Sequence, residues 1–293
     1  MTSVIMRTVM AVLALLVATA TAAADFKPSR IDIQYVPPKS PEHESLYKRV
    51  QERRRLEMIR DLLTPLRLPR RLLLKTESCD GEVNTWYDDG AITVCYEYLD
   101  WVLQAAPEQT TPDGIAPIDA VSGPVIQIIL HEAGHAVFDL LKIPIFGREE
   151  DAADQFSAYV MLHAGKDEVR RLISGAAYQF KSGVQSESQN IATKRFADVH
   201  GTAAERFYNI LCLAYGADEE LFKDVVANGY LPKGRAEGCS DEYANVAYAF
   251  KTLIGPYIDR KLAAKMHKNW LPPVNTRPPL RPTGLAVKSL LSS

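Results

Sequence analysis

His131-Glu132-Ala133-Gly134-His135, followed after a proline- and glycine-containing break by Glu150-Asp151-Ala152-Ala153-Asp154, is the stretch on which the reading of this chain turns. Residues four apart project from one face of an α-helix. His131 and His135 therefore reach a common point, and Glu132 lies beside them. This is the His-Glu-x-x-His signature of zinc hydrolases, in which two imidazoles hold the ion and the glutamate acts as base. The second segment has the same spacing in carboxylates. Glu150 and Asp154 share a face of the next helix, which is aimed at the first.

A catalytic zinc commonly takes three protein ligands and leaves one position for water. His131, His135 and Glu150 are the expected ligands of one Zn2+. Asp154 is expected to accept the other ring N–H of a ligand histidine, His131, which fixes its tautomer. Glu149 and Asp151 point elsewhere on the helix and read as an acidic first turn favoured by the helix dipole. Glu132 is the expected general base on the zinc-activated water, returning the proton to a leaving amine. A tetrahedral oxyanion calls for one more donor. His200, oriented by Asp198, is the first candidate, with Tyr208 and Arg206 as runners-up. The plain alternative for His200 is a capping or surface histidine. His43, His163 and His267 lie in ordinary helical contexts and carry no expected chemistry.

Around this segment the motif helix is expected from about Ser122-Gly123-Pro124 to Leu141. It is apolar nearly all round, so it is buried. Polar His131, Glu132 and His135 on such a helix need partners, which a metal supplies. The next helix is expected over 148–163. Upstream, Ile31, Ile33 and Tyr35 alternate with polar residues as in a strand. One amphipathic helix is expected from Ser40-Pro41, with Ser40 as cap, to near Pro65. Leu72 to Leu74 form a short apolar run, and Asp88-Asp89-Gly90 marks a hairpin between segments 82–87 and 91–98. Ala91 to Cys95 is the candidate edge strand for pairing with an extended substrate, set against a purely structural strand. Residues 174–193 are polar and glycine-containing and read as a loop or weak helix. Further helices are expected over 196–215, 219–227 and 241–258.

Arg7, the apolar run Val9 to Ala18 and the small residues ending at Ala24 form a signal peptide over residues 1–24. The expected remainder is a domain over 25–270 and a proline-rich extended tail over 271–293. No later segment is apolar enough to span a membrane, so no stable insertion is expected once the signal is removed. The formal net charge of −2 gives no reason to expect nucleic acid as a partner. Oligomeric state is left open. Four cysteines in an exported chain suggest disulfides, and the local pairs Cys79–Cys95 and Cys212–Cys239 are preferred. A cysteine zinc site competes weakly, because no C-x-x-C pair is present.

The pattern His131-Glu132-x-x-His135 with Glu150-x-x-x-Asp154 resembles the gluzincins, the clan typified by thermolysin. That resemblance implies zinc, a glutamate third ligand and a helical second lobe. The chain is also similar to a bacterial family of exported "putative metallopeptidases". The resemblance rests on Cys79 to Cys95-Tyr96-Glu97, on the two motif segments with Pro144 and Gly147 between them, on Arg206-Phe207-Tyr208-Asn209-Ile210-Leu211-Cys212, and on Cys239. The resulting expectation is an α+β, mainly helical, zincin-like fold. A small N-terminal β hairpin or sheet lobe and a helical C-terminal lobe would flank a cleft. The expected activity is zinc-dependent hydrolysis of a peptide or protein, in the periplasm or outside the cell. A non-peptide amide or ester hydrolase and a non-catalytic, metal-stabilised binding module are the rivals.

Overall fold

One 25-residue helix, Pro117–Leu141 (α4), carries the His-Glu-x-x-His segment, and the other elements pack around it. The computed structural model describes residues 30–188 and 198–264. The expected signal peptide (1–24) and proline-rich tail (271–293) lie outside the described residues, as do His267 and the end of the polar 174–193 segment. α4 begins earlier than expected. Pro117 takes the first position, where no N–H is needed. Pro124 lies inside the helix, and the buried residues on both sides of it, Ile118, Ala120, Ile126 and Ile129, carry the helix through.

Four strands make a small mixed sheet: β1 (Ile31–Tyr35), β2 (Leu72–Glu77), β3 (Thr85–Asp88) and β4 (Ala91–Cys95), in the order β1-β2-β4-β3. β1 and β4 both run parallel to β2, and β3 pairs antiparallel with β4. Asp89 and Gly90 both have positive φ, +36° and +83°, as a two-residue type I′ hairpin requires. Ala91 to Cys95 is not the edge strand. β4 is paired on both sides and β3 forms the edge. The physical reason is burial: Ile92, Thr93, Val94 and Cys95 are all almost fully covered, which an inner strand achieves and an edge strand does not.

The segment between β1 and β2 is two helices rather than one, α1 (Glu44–Glu52) and α2 (Arg55–Leu63), after a 3₁₀ turn at Pro41–His43. Ser40 makes no side-chain cap. The break falls at Arg54, whose φ of +49° is left-handed. α3 (Tyr96–Ala105) follows β4 directly. After α4 come α5 (Glu149–Met161) and α6 (Lys166–Ser188). Of the loop and the weak helix expected from residue 174, the helix is present, and it already begins at Lys166. Its glycine is there for contact: a Cβ on Gly175 would lie 2.1 Å from the Asp119 carbonyl oxygen, and one on Gly123 would lie 2.6 Å from the Ala176 nitrogen. The α4 and α6 backbones therefore touch, and this packing holds the helix despite its polar surface. Arg171 reinforces the crossing with a 2.7 Å ion pair to buried Asp119.

α7 (Ala203–Ala217) starts later than expected, at a capping box between Thr202 and Glu205. α8 (Glu219–Ala227), α9 (Lys233–Ala236), α10 (Cys239–Ala249) and α11 (Arg260–Ala263) complete the helical part. α10 passes into a π turn at Phe250–Ile254 instead of running straight to 258. Both preferred disulfides are present. Cys79–Cys95 closes a loop against β4, and Cys212–Cys239 ties α7 to α10. Each stabilises the fold by about 3 kcal/mol on a chain-entropy account, and no cysteine is left free for zinc. The fold is α+β and mainly helical. Among the described residues no helix is long and apolar enough to cross a membrane.

Candidate metal centre

α4 and α5 cross so that three donor atoms meet. His131 Nε2 and His135 Nε2 are 3.2 Å apart, and Glu150 Oε2 lies 3.0 Å from the first and 3.3 Å from the second. One ligand atom from each residue falls within 4.8 Å of the others. Donors that share one zinc at bonds of about 2 Å lie roughly 3–3.5 Å apart, so the spacing matches a common ion.

The tautomers fit as well. His131 Nδ1 is 2.8 Å from Asp154 Oδ1, and His135 Nδ1 is 2.8 Å from Glu149 Oε1. With each Nδ1–H donated to a carboxylate, both Nε2 atoms, once free of the proton shared with Glu150, would turn their lone pairs to the same point. Two such lone pairs and a carboxylate oxygen form a nitrogen–oxygen donor set suited to zinc. Asp154 meets the expectation for its position. Glu149 is more than part of an acidic first turn, since its carboxylate also meets His135. Only the angle at which α5 crosses α4 decides that, and the sequence spacing gave no sign of it. Asp151 does behave as a surface acid, paired with Arg148 at 2.8 Å.

Behind His131 lies a second layer. Arg206 on α7 donates from Nε and Nη2 to the two oxygens of Asp154, each at 2.7 Å, and its guanidinium rests 4.6 Å from the centre of the Phe180 ring. Gln127 donates to Asp154 Oδ1 at 3.1 Å. Arg206 thus commits Nε and Nη2 to Asp154, on the far side of His131. Tyr208 sits on the same helix, partly exposed, with its ring against Phe207. Among the described residues it makes no hydrogen bond to the cluster.

His200 is brought to the site. It lies in the loop before α7, with Nε2 2.9 Å from Glu150 Oε2 and its ring stacked on His131 at 5.9 Å. Asp198 accepts its backbone N–H at 3.0 Å and lies 3.4 Å from Nδ1. A polar recess of about 200 Å³ opens beside it, lined by Phe180, Asp198, His200, Thr202 and Arg206.

The electrostatics follow from these contacts. Hydrogen bonds from His131, His135 and His200 hold the Glu150 carboxyl far below the usual carboxylate range, against the effect of burial. Burial pushes His135 down, but its bonds to Glu150 and Glu149 win and raise it to about 9. Burial alone would raise Asp154; His131 and Arg206 overcome it and leave the group at about 2. Glu132 is different. It is buried beside the imidazoles but outside the donor set, and burial pushes its carboxyl up, with His131 and His135 opposing. The Tyr87 backbone N–H also faces Glu132. The edge strand is fixed there by the Tyr87 hydroxyl, which donates to Asp139 on α4 at 2.7 Å.

His163 points its Nδ1 at the Tyr159 carbonyl, and His43 is buried near Tyr96. Neither approaches the cluster.

Comparison with known proteins agrees with this geometry. A family model described as "Putative metallopeptidase" matches residues 35–254, well over half of the chain and the whole of the site. No curated protein and no solved structure matches the chain.

Proposed function

The chain belongs to this putative metallopeptidase family, and from that premise we propose that it is an exported zinc-dependent peptidase. The observation that carries the reading is the meeting of His131 Nε2, His135 Nε2 and Glu150 Oε2 at one point. These three residues would hold the ion. Bound zinc supplies a Lewis acid for a substrate carbonyl and lowers the pKa of a water toward neutrality.

The chain's own residues do the rest. Asp154 and Glu149 hold the ligand imidazoles in the productive tautomer. Glu132 takes the proton of the attacking water and delivers it to the departing amine; its buried, upward-shifted carboxyl is suited to both steps. His200 donates from Nε2 to the oxygen on which negative charge develops. An extended peptide is the favoured substrate because β3 pairs only with β4 among the described residues, so its edge beside Glu132 has no strand partner and suits strand addition. Export rests on the charged-then-apolar start of the sequence and on the two disulfides.

The test is metal analysis of the purified mature chain together with a peptide-library digest. One zinc per chain and cleavage of peptides are expected. Glu132→Gln should keep the zinc and lose the cleavage. Full activity in that variant would sink the mechanism, and cleavage of only non-peptide amides or esters would sink the substrate class.

A further inference from the structure

An apolar cavity of about 120 Å³ lies between α1, α2, α3, the sheet and the N-terminal half of α4. Val50, Ile59, Val94, Leu103, Ile126 and Ile129 are among its walls. An engineered apolar cavity of roughly 150 Å³ stays dry and takes up benzene. The space here opens to solvent on one side, and its apolar walls suit a hydrocarbon chain. No carboxylate lines it, but Arg49, Arg53 and Arg55 do.

Those arginines are unusual in two ways. Arg53 is exposed and Arg55 is half-buried, and neither guanidinium is paired with a carboxylate among the described residues. Burial, and then the like charge of Arg53, push the Arg55 guanidinium down, and no carboxylate acts on it. Arg54, between them, does have a partner, Glu57 at 3.7 Å. The left-handed φ of +49° at Arg54 is the backbone break that places Arg53 and Arg55 on this rim. Such a conformation is disfavoured for a residue with a long side chain. Two neighbouring cations without a carboxylate partner among the described residues, at the rim of an apolar space, complement one ligand chemistry: an anionic head on an aliphatic tail. A neutral lipid would leave the charges unanswered, and an inorganic anion would leave the cavity unfilled.

We propose that this cavity binds a medium-chain fatty acid, with the tail inside and the carboxylate on Arg53 and Arg55. The site is separate from the metal centre and does not rest on the peptidase reading.

Calorimetric titration of the full mature chain with octanoate and with octan-1-ol tests it, in the presence of a chelator so that no metal offers a rival carboxylate site. Octanoate should bind at least tenfold more tightly than the alcohol. Arg55→Gln should bring octanoate down to the level of the alcohol. Val121→Phe, at a partly exposed wall position, should fill the space and abolish both, with the far-ultraviolet circular dichroism unchanged. If Val121→Phe unfolds the chain, Arg55→Gln decides alone. Equal binding of acid and alcohol, no binding of either, or unchanged binding by Arg55→Gln overturns the proposal. Octanoate binding that falls as protein concentration rises and a dimer forms also overturns it, because a second copy then occupies the face.

Discussion

Arg206 grips both carboxylate oxygens of Asp154 at 2.7 Å, and Asp154 in turn holds Nδ1 of His131 at 2.8 Å. A cation on α7 thus sets the tautomer of His131 on α4 through an acid on α5. All three groups are largely buried, so removing the cation strands a charge in a poorly solvated place. Breaking such a pair from one side costs about 3–5 kcal/mol. Arg206→Met, which keeps most of the packing on Phe180, should lower unfolding free energy by about 3 kcal/mol in urea. It should also weaken zinc binding roughly tenfold in a competitive chelator titration. Unchanged zinc affinity would show that Arg206 serves the fold alone.

Glu149 gives a cleaner separation, because it is more than half exposed and its loss should hardly touch stability. Its bond to His135 Nδ1 orients that imidazole. Glu149→Gln should weaken zinc affinity about tenfold and leave the thermal midpoint of the metal-free protein within a few degrees. Asp151→Asn, two residues on and paired with Arg148, should change neither. Equal behaviour of the two variants would return Glu149 to the role of a surface acid.

The contrast between these neighbours shows where the sequence was legible. Two histidines at i and i+4 share a helical face whatever the fold, so His131 and His135 could be paired from spacing alone. The same holds for Glu150 and Asp154. Which of the neighbouring acids also meets Nδ1 of His135 depends on the angle between two helices, which no local pattern encodes. The hairpin is legible from Asp89-Gly90, but which of its strands joins β2 is not, and of the two readings of Ala91 to Cys95 the structure bears out the purely structural strand. The break at Arg54 has neither glycine nor proline to announce it. Gly175 reads as a weak point in a helix when taken alone, yet it is the contact that allows α6 to lie against α4. His200 had an ambiguous context and needed the loop's path to bring it to Glu150.

Proton release should accompany metal binding. His135 without metal is raised to about 9 from its ordinary 6.5, after burial is outweighed by Glu150 and Glu149. A ligating nitrogen must be free of its proton. Zinc uptake at neutral pH therefore displaces at least one proton, and apparent affinity rises with pH until about 9. Stability of the metal-free protein runs the other way. A folded pKa above the unfolded value gives stabilisation that is complete below pH 6.5 and lost as pH climbs through about 9. Zinc titrations in buffers of different ionisation enthalpy read the proton count directly. A count of zero at pH 7 contradicts the cluster described here.

The α4–α6 crossing makes a prediction about the fold alone. A Cβ on Gly175 would fall 2.1 Å from a backbone oxygen that cannot rotate away. Gly175→Ala is a favourable change in an isolated helix by about 1 kcal/mol. Here it should instead destabilise by about 2 kcal/mol or more, since overpacking forces the backbones apart. Chemical denaturation checks the sign. A stabilised variant would mean that the two helices do not touch at this point.

His200 has two readings that kinetics can separate. Its Nε2 lies 2.9 Å from Glu150 Oε2, and that bond raises its pKa while burial works against it. Its ring stacks on His131, so it borders the point where the three donors meet. As a donor to developing negative charge, it acts only in the transition state. Removing such a donor lowers kcat by roughly 100- to 1000-fold. His200→Ala should therefore cut kcat by about that factor, leave KM nearly unchanged and shift zinc affinity by less than about threefold. The alkaline limb of the pH–rate profile, where a protonated imidazole gives up its proton, should disappear with it. A fourth ligand behaves differently. If His200→Ala loses zinc as readily as His135→Ala does, the residue holds the metal and the oxyanion donor lies elsewhere.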